Sequence, residues 1–469
     1  MITKLSLKNF KSWEDTGEVT LAPLTGFFGS NSSGKTSLIQ LLLLLKQTAE
    51  SPDRNLVLHL GDDRSLVDLG TFQDVLYRHD LERVLEWRLD WKLSKPLRVE
   101  DPQNPRQDLF EGDELGFSAE IVWKKGKEGG QIVVKRMAYS FNEVDFGMEP
   151  VKERDQLNFK KFKLFGPNPD FFKRHRGRAW QLPPPAKCYG FPDQVRAYYQ
   201  NAAFLSDFEL EFEKLFAQVF YLGPLREYPK RQYSWAGAKP TDVGRRGERV
   251  VEAILASREG GYLYSFGRGR KRKSLEQVVA HWLKELNMIE DFAVRPIREG
   301  SKLYQVWVRR HPNAEEVLLT DVGFGVSQIL PVITLLYYVP ERSVVILEQP
   351  EIHLHPSVQA GLADVFIEVI QRRKIQIILE SHSEYLLRRL QRRIAEERFS
   401  EKDVALFFCT MEGGRSRLEQ LRVDMYGHIE NWPEDFFGDE LGEILRTQRA
   451  ILERQRKTRK GELPNEGCD

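Results

Sequence analysis

Residues 29–36 read Gly29-Ser30-Asn31-Ser32-Ser33-Gly34-Lys35-Thr36, which fits G-x-x-x-x-G-K-[ST] at every fixed position. Apolar residues between positions 21 and 28 predict a strand before this stretch, and residues 37–45 predict a helix after it. In that context backbone N–H groups and a helix N-terminus converge on phosphate oxygens. We therefore predict a P-loop whose eight residues bind a nucleoside triphosphate with Mg²⁺. The Lys35 ammonium, on an exposed loop, would reach the β- and γ-phosphates, and the Thr36 hydroxyl would ligate the metal.

Composition narrows the class of protein. Seventy basic and 69 acidic residues leave a net charge of +1, so any surface for nucleic acid would have to be local. The three cysteines are scattered without a C-x-x-C pair and indicate neither a zinc site nor a disulfide framework. No apolar stretch approaches the length of about 18 residues that a membrane span needs. We expect a cytoplasmic protein of two or three domains that does not engage a membrane.

Hydrophobic periodicity predicts most of the secondary structure. Alternating apolar residues predict strands at 2–10, 85–93, 115–123 and 132–141. Helical spacing of apolar residues is found at 249–257 and 274–286. From residue 326 the two patterns alternate, with helices at 326–338, 356–372 and after 383, and strands at 344–347 and 375–379. That alternation predicts one parallel sheet, shared by residues 1–50 and 310–410 and covered by helices.

The second half of a P-loop site is an apolar strand that ends in an acid, and Val344-Val345-Ile346-Leu347-Glu348 supplies it. Glu348 is placed to hold Mg²⁺, usually through water. Two motifs follow, Gln349-Pro350-Glu351-Ile352-His353-Leu354-His355-Pro356 and, after the next strand, Glu380-Ser381-His382-Ser383. Upstream, a glycine turn opens a helix at Asp321-Val322-Gly323-Phe324-Gly325-Val326-Ser327-Gln328.

In this order the motifs resemble those of ABC-type ATPases of the SMC and OLD group. Over residues 1–80 and 220–440 the chain is similar, more narrowly, to bacterial ATPases of the AAA-15/AAA-21 type with a C-terminal domain of unknown function. Two further segments resemble that family, Tyr221-Leu222-Gly223-Pro224-Leu225-Arg226 and Trp432-Pro433-Glu434-Asp435-Phe436-Phe437. The resemblance implies an α/β fold, an ABC-type P-loop NTPase head with a mixed sheet and a large inserted α+β region. It also implies ATPase activity, with ATP and Mg²⁺ as cofactors.

The same resemblance implies roles for residues outside the P-loop. His382 would be the switch histidine that contacts the γ-phosphate. Gly323, Gly325 and Ser327 would belong to the signature that completes the nucleotide site of a partner subunit. The register of the signature stays open, because Gly323 stands where a serine is usual. Gln73 is our choice for the Q-loop glutamine, with a solvated loop glutamine as the alternative.

Motif positions and periodicity divide the chain into five predicted parts. Residues 1–80 form the N-terminal lobe of the ATPase head, and 81–220 form the inserted α+β region. Residues 221–310 form a connecting, helical part of the head. Its C-terminal lobe, with signature, Mg²⁺-binding acid and switch histidine, spans 311–410. Residues 411–469 form a C-terminal extension.

One position departs from the pattern of these ATPases. Between the Mg²⁺-binding acid and the proline they normally carry a glutamate that activates the attacking water, and here the residue is Gln349. Glutamine accepts a hydrogen bond from water but takes no proton at neutral pH. We therefore expect slow hydrolysis by a catalytic group of Glu348, Gln349, Glu351 and His382. The alternative is that Glu351 has taken over the role of the base.

Four features allow two interpretations each. His353 and His355 suit a metal pair, but a role in shaping their turn is favoured. The basic run at 267–273 is a candidate contact for DNA or RNA, with a solvated loop as the alternative. At 171–176 aromatic and basic residues are mixed as in single-strand binders, although ordinary packing is favoured. Arg226 suits a phosphate contact and a structural ion pair equally.

The resemblance implies an ATP-gated regulatory subunit in which two heads sandwich two ATP molecules. Some relatives belong to antiphage systems such as Septu, and this resemblance implies control of a separate nuclease subunit or engagement of DNA. A nuclease within the chain is disfavoured, because the sequence after His382 is shorter than a usual domain and lacks an obvious cluster of metal-binding acids. The alternatives are a scaffold that senses ATP without turnover and a DNA-repair ATPase.

Overall fold

The computed structural model describes residues 1–101, 104–126, 129–176, 181–265, 271–433 and 440–459. Its strands in chain order are β1 (Ile2–Phe10), β2 (Trp13–Asp15), β3 (Val19–Thr20), β4 (Leu24–Gly29), β5 (Leu85–Asp101), β6 (Asn104–Gly126), β7 (Gly129–Phe141), β8 (Val144–Glu153), β9 (Gln156–Phe165), β10 (Val219–Leu222), β11 (Tyr233–Ser234), β12 (Leu263–Tyr264), β13 (Lys273–Ser274), β14 (Asp291–Pro296), β15 (Leu303–Arg309), β16 (Glu316–Leu318), β17 (Val344–Glu348), β18 (Gln376–Glu380), β19 (Val404–Glu412) and β20 (Arg415–Leu421). Its helices are α1 (Lys35–Glu50), α2 (Phe72–Val75), α3 (Gln194–Tyr198), α4 (Leu205–Ala217), α5 (Val250–Glu259), α6 (Leu275–Glu285), α7 (Phe324–Tyr338), α8 (Pro356–Arg373), α9 (Glu384–Ala395) and α10 (Glu440–Arg459). No described helix combines the length and the apolar character that crossing a membrane requires.

A six-stranded sheet carries the P-loop. Its order is β10-β17-β18-β4-β19-β20, and all neighbours are parallel except the pair β19–β20. The strands β4, β17 and β18 are buried along their whole length, as expected for parallel strands with both faces covered. The sheet joins strands from the two ends of the chain. The predictions of a shared parallel sheet and of an α/β P-loop fold are therefore confirmed.

Successive side chains of a strand point to opposite faces of the sheet, so alternate side chains of the P-loop sheet pack into two separate hydrophobic cores. On β17, Val344 and Ile346 join the core that contains α1 and α4. Val345 and Leu347 join the other core, with residues of α5, α6, α7, α8 and α9. The P-loop sheet is thus the central layer, and its two faces hold the helices that frame the site.

A second, eight-stranded antiparallel sheet combines β1, β2 and β3, which precede the P-loop, with β5 to β9, which follow the P-loop helix. Its order is β2-β1-β5-β6-β7-β8-β9, with β3 beside β1. The predicted strands at 2–10, 85–93, 115–123 and 132–141 all lie in it, within β1, β5, β6 and β7. At 171–176, the rings of Phe171 and Phe172 pack among neighbouring phenylalanines such as Phe146 and Phe204, so these two rings serve packing.

The predicted division into five parts stays a prediction. Two strands of the P-loop sheet span its limits: β10 runs across residue 220, and β19 runs across residue 410. The N-terminal strand β1 pairs with β5, which begins the region predicted as an insertion. The predicted helices at 249–257, 274–286, 326–338 and 356–372 are confirmed within two residues at each end.

Candidate nucleotide site at the carboxyl edge of the sheet

The carboxyl ends of five parallel strands meet at one edge of the sheet, where ligands of open α/β folds bind. β4 leads into the P-loop, β17 into Gln349 and β18 into Ser381. In the register of these strands Phe27, Glu380 and Glu348 stand side by side. Parallel pairing therefore brings motifs that are far apart in the sequence to one place.

Two glycines fix the shape of the P-loop. Gly29 and Gly34 have φ angles of 132° and 95°, which residues with a Cβ rarely adopt. A Cβ on Gly29 would lie 2.1 Å from the carbonyl oxygen of Cys409, and one on Gly34 would lie 2.4 Å from Ser416 Oγ. The indole N–H of Trp13 donates to the carbonyl oxygen of Gly34 at 3.0 Å. The loop is thus held against β19 and β20 in a single shape.

Lys35 opens α1 and is buried, with 3% of its surface exposed. Its ammonium donates to the carbonyl oxygens of Gly29 at 3.1 Å and Ser30 at 2.7 Å. Burial lowers the pKa of Lys35, while the carboxylate of Glu380 acts in the opposite direction. The expectation of an exposed lysine is wrong, because carbonyl groups of the loop close around the ammonium.

Two buried carboxylates lie on neighbouring strands at this edge. The Thr36 hydroxyl donates to Glu380 Oε2 at 2.7 Å, and the Tyr221 hydroxyl donates to Glu348 Oε1 at 3.1 Å. Burial raises the pKa of Glu348 to about 7, and repulsion from Glu380 adds to the rise. Carboxylate and hydroxyl oxygens are the hard ligands that Mg²⁺ prefers. Thr36, Glu348 and Glu380 are therefore the residues that could hold the metal.

Glu380 is the site residue that the sequence analysis missed. It ends β18, which lies between the strand of Glu348 and the P-loop strand β4. The signal was present in the sequence, because Glu380 also ends an apolar strand with an acid, the same pattern that identified Glu348.

The motif after β17 is tied to the motif after β18. Glu351 Oε1 accepts a hydrogen bond from the backbone N–H of His382 at 2.6 Å, and burial raises the pKa of Glu351. The N–H of Gln349, whose φ is 43°, donates to the carbonyl oxygen of Glu380 at 2.8 Å. These bonds place Gln349, Glu351 and His382 at the same edge of the sheet, and their catalytic roles stay a prediction.

Among the described residues near the P-loop, buried polar atoms without a hydrogen-bond partner include Ser33 Oγ, Glu351 Oε2 and His382 Nε2. Burial lowers the pKa of His382, and the charge of Lys35 lowers it further, so a neutral ring is favoured. Buried polar groups are normally hydrogen-bonded, and exceptions require an explanation. Phosphate oxygens and Mg²⁺-bound water would supply the missing partners, so these residues fit MgATP.

The signature residues lie at the start of α7. Gly323 precedes the helix and is exposed, and Phe324 is 39% exposed. Ser327 is buried instead, and its hydroxyl donates to the carbonyl oxygen of Phe324 at 2.7 Å. The exposed part of the signature is therefore its glycine turn. The serine hydroxyl is used for a hydrogen bond within α7.

Gln73 lies on the short helix α2 with an exposed side chain, and its amide donates to the carbonyl oxygen of His79 at 3.2 Å. The assignment of Gln73 to the Q-loop stays a prediction. His355 caps α8 through Ser357, and the ring of His353 stacks edge-on against Phe324. Both contacts agree with a role of these histidines in shaping the turn.

Two sequence features lie partly outside the described residues. The basic run at 267–273 is described only from residue 271, and the Trp-Pro segment at 432–437 only up to residue 433. The Arg388 guanidinium lies 4.8 Å from the centroid of the Trp432 ring.

A P-loop on a parallel strand, with buried acids at the ends of the neighbouring strands, defines a P-loop NTPase. Comparison with family models identifies the group within that class. The model described as "AAA domain, putative AbiEii toxin, Type IV TA system" matches residues 24–388, and the chain belongs to this family. A second model, a protein of unknown function (DUF3696), matches residues 400–446. The resemblance to AAA-21 ATPases with such a C-terminal segment is thereby confirmed.

Solved structures of SMC heads are similar at low identity. The SMC head domain from Thermotoga maritima is 12% identical with a TM-score of 0.41, covering 90% of this chain and 99% of that one. The SmcHead bound to the C-winged helix domain of ScpA is 10% identical with a TM-score of 0.44, covering 90% and 98%. An Smc head with an extended coiled coil, bound to the C-terminal domain of ScpA derived from Pyrococcus furiosus, is 10% identical with a TM-score of 0.43, covering 97% and 99%. A search of curated proteins found no significant match.

Proposed function

We propose that this chain is an ATPase that hydrolyses slowly and whose ATP-bound form pairs with a second copy. The observation that carries this proposal is the set of buried polar atoms without partners around Lys35, on Ser33, Glu351 and His382. Each of them belongs to a different motif, and all three border the same edge of the sheet. A buried polar group without a hydrogen-bond partner lowers the stability of the folded chain. A triphosphate with its metal would supply hydrogen-bond partners for all three groups together.

The proposed roles follow from chemistry and position. The P-loop N–H groups and Lys35 bind the phosphates, and Thr36, Glu348 and Glu380 hold Mg²⁺. The metal, when bound, would offset negative charge on the phosphate oxygens. Neutral His382 offers its Nε2 to the terminal phosphate or to the attacking water.

Slow hydrolysis is proposed because the residue after Glu348 is a glutamine. Gln349 can orient a water molecule through its carbonyl oxygen but cannot remove its proton. Positioning carries much of the catalysis of phosphoryl transfer, so turnover would be slow rather than absent. Glu351 is a nearby acid whose Oε2 is buried without a partner among the described residues, but its other oxygen is fixed by the N–H of His382.

Pairing of two copies is proposed through an exposed apolar surface beside the site. Tyr228 and Phe324, called here the aromatic patch, are 72% and 39% exposed, and Leu225, three residues before Tyr228 in the sequence, is 70% exposed. The rings of Tyr228 and Phe324 lie 5.5 Å apart, so residues from two distant parts of the sequence form one surface. Contiguous apolar surface of this kind marks interaction sites. Its continuity with the glycine turn of the signature favours a second copy of this chain as the partner.

ATP is expected to convert the chain from one to two copies per particle, whereas ADP is not. The terminal phosphate supplies the differential contact that such a population shift requires. Mass photometry at one protein concentration, with MgATP, MgADP and no nucleotide, measures this directly. Assembly that is the same with ATP and ADP would contradict the proposal.

Two tyrosine variants locate the interface. Tyr228→Ala should weaken the ATP-dependent pairing, whereas Tyr426→Ala removes an equally exposed ring outside the patch and should leave it unchanged. If both variants pair like the wild type, the aromatic patch is not the interface.

We further propose that the closed pair controls a separate effector, a nuclease of an antiphage system, or engages DNA. The support is the resemblance described above and a run of basic residues that ends at the first residue of β13, namely Lys271, Arg272 and Lys273. The runner-up functions are an ATP-sensing scaffold without turnover and a DNA-repair ATPase. Fluorescence anisotropy with labelled double- and single-stranded DNA, with and without ATP, tests the DNA arm. The stoichiometry of the complex purified from its host tests the arm with a separate subunit.

A further inference from the structure

A buried arginine approaches the carboxyl edge from the side opposite the P-loop. Arg226 follows β10 after a Gly-Pro turn and is 5% exposed. Backbone bonds hold its segment on both sides, because the N–H groups of Gly223 and Glu227 donate to the carbonyl oxygens of Arg245 and Arg246, each at 2.8 Å. The preceding residue, Leu225, is 70% exposed. The fold thus directs Leu225 outward and Arg226 inward.

No described carboxylate lies within ion-pair distance of the Arg226 guanidinium. Its Nε and Nη1 are buried without a hydrogen-bond partner, and it forms no ion pair with a described carboxylate. Burial lowers the pKa of Arg226 to about 10, although Tyr221, Glu348 and Glu351 lie close enough to favour the charge. The group therefore remains a cation at neutral pH. The structural ion pair, one of the two interpretations drawn from the sequence, is not formed.

A buried, unpaired cation is strongly unfavourable unless a ligand completes its bonds. The guanidinium is planar and presents its donors as a fork, which matches two oxygens of one phosphate. Perturbed, partly desolvated groups of this kind cluster at binding sites. Arg226 therefore has the properties of an anion-binding residue.

Strand order indicates which phosphate it would bind. β10, which leads to Arg226, stands three positions from β4, roughly 14 Å across the sheet. The P-loop N–H groups and Lys35 bind phosphates on the β4 side. Arg226 approaches from the β10 side, and its charge is favoured by the carboxylates of Glu348 and Glu351. The part of a bound nucleotide that it would contact is therefore the part that extends beyond the P-loop toward these two residues.

We propose that the Arg226 guanidinium donates hydrogen bonds to the terminal phosphate of ATP and so distinguishes ATP from ADP. This inference rests on the proposed function, since it assumes that the P-loop binds a nucleotide. Arg226 lies two residues before Tyr228 of the aromatic patch. A hydrogen bond from Arg226 to the terminal phosphate would therefore also fix the position of the aromatic patch. In this way binding of the terminal phosphate would be coupled to the pairing of two copies.

The test compares ATP and ADP affinities by isothermal titration calorimetry. Arg226→Met keeps an unbranched apolar stem and removes the guanidinium with its charge. The variant is expected to bind MgATP about 10- to 100-fold more weakly and MgADP less than about threefold more weakly. Arg298→Met removes an exposed arginine on the turn between β14 and β15 and should change neither affinity.

A melting curve without nucleotide supplies a readout that is independent of binding. Arg226→Met should melt within a few degrees of the wild type, because the arginine Nε and Nη1 form no hydrogen bond with a described residue that the substitution would break. Arg226→Lys, which keeps a charge but not the fork, should also lose preference for ATP over ADP. Equal weakening of ATP and ADP, or full ATP affinity in both variants, would overturn the inference. Wild-type protein that binds neither nucleotide would reject the proposed function itself.

Discussion

Lys35→Ala is expected to lower the affinity for MgATP by more than about 100-fold while the chain stays folded. Each hydrogen bond from a charged donor contributes about 1.5–3 kcal/mol, and the lysine would make more than one to the β- and γ-phosphates. Within the described part of the chain the ammonium donates to two carbonyl oxygens and to no side chain, and burial lowers the pKa of Lys35. Its removal should therefore shift the unfolding midpoint by only a few degrees. Calorimetric titration and a melting curve measure the two effects.

Lys46→Ala is the matched control. Lys46 lies on the same helix, is 6% exposed, and donates to Glu50 and to the carbonyl oxygen of Phe216 at 3.0 Å. This variant should melt at a lower temperature and keep wild-type ATP affinity. Unchanged nucleotide affinity in Lys35→Ala would reject the P-loop assignment, and unfolding of that variant would show that its lysine is structural.

Gln349→Glu is expected to speed the single-turnover hydrolysis of ATP by about 10²- to 10⁴-fold, the usual contribution of a general base. The exchange is isosteric, and the turn is fixed through its backbone N–H by Glu380, so the geometry should persist. Rapid mixing with limiting MgATP and acid quench gives the rate. Gln371→Glu adds the same charge on the exposed surface of α8 and should leave the rate unchanged.

Glu351→Gln separates this account from its alternative. If Glu351 is the base, wild-type hydrolysis is fast and this single variant abolishes it. If Gln349 limits the rate, wild-type hydrolysis is slow and Glu351→Gln changes it little. The geometry favours the second outcome, because one oxygen of Glu351 already accepts the N–H of His382 at 2.6 Å.

Most of the fold could be predicted because its signals are local. Period-two and helical spacing located the main strands and helices, and the P-loop with an acid-ended strand predicted the parallel sheet that joins both ends of the chain. The pairing of β1 with β5 was not predicted, since strand partners depend on contacts far apart in sequence.

Part of the site could not be predicted from the sequence, because it depends on which residues are neighbours in three dimensions. The place of Glu380 follows from strand order, because β18 inserts between β17 and β4. Burial of Lys35 follows from the loop that closes around it. For Arg226 the sequence left two interpretations, and the absence of an ion pair to the described carboxylates distinguishes them. Spacing along a chain carries no information about which charges stay unpaired.

The central claim, an ATP-held pair with slow hydrolysis, is tested most directly by the lifetime of that pair. Pairs formed with MgATP are diluted into excess MgADP, and mass photometry follows their number while a parallel quench follows ATP cleavage. The account predicts that pairs disappear at the same slow rate at which ATP is cleaved, and that Gln349→Glu accelerates both. Pairs that separate while their ATP is intact, or that form equally well with ADP, would contradict it.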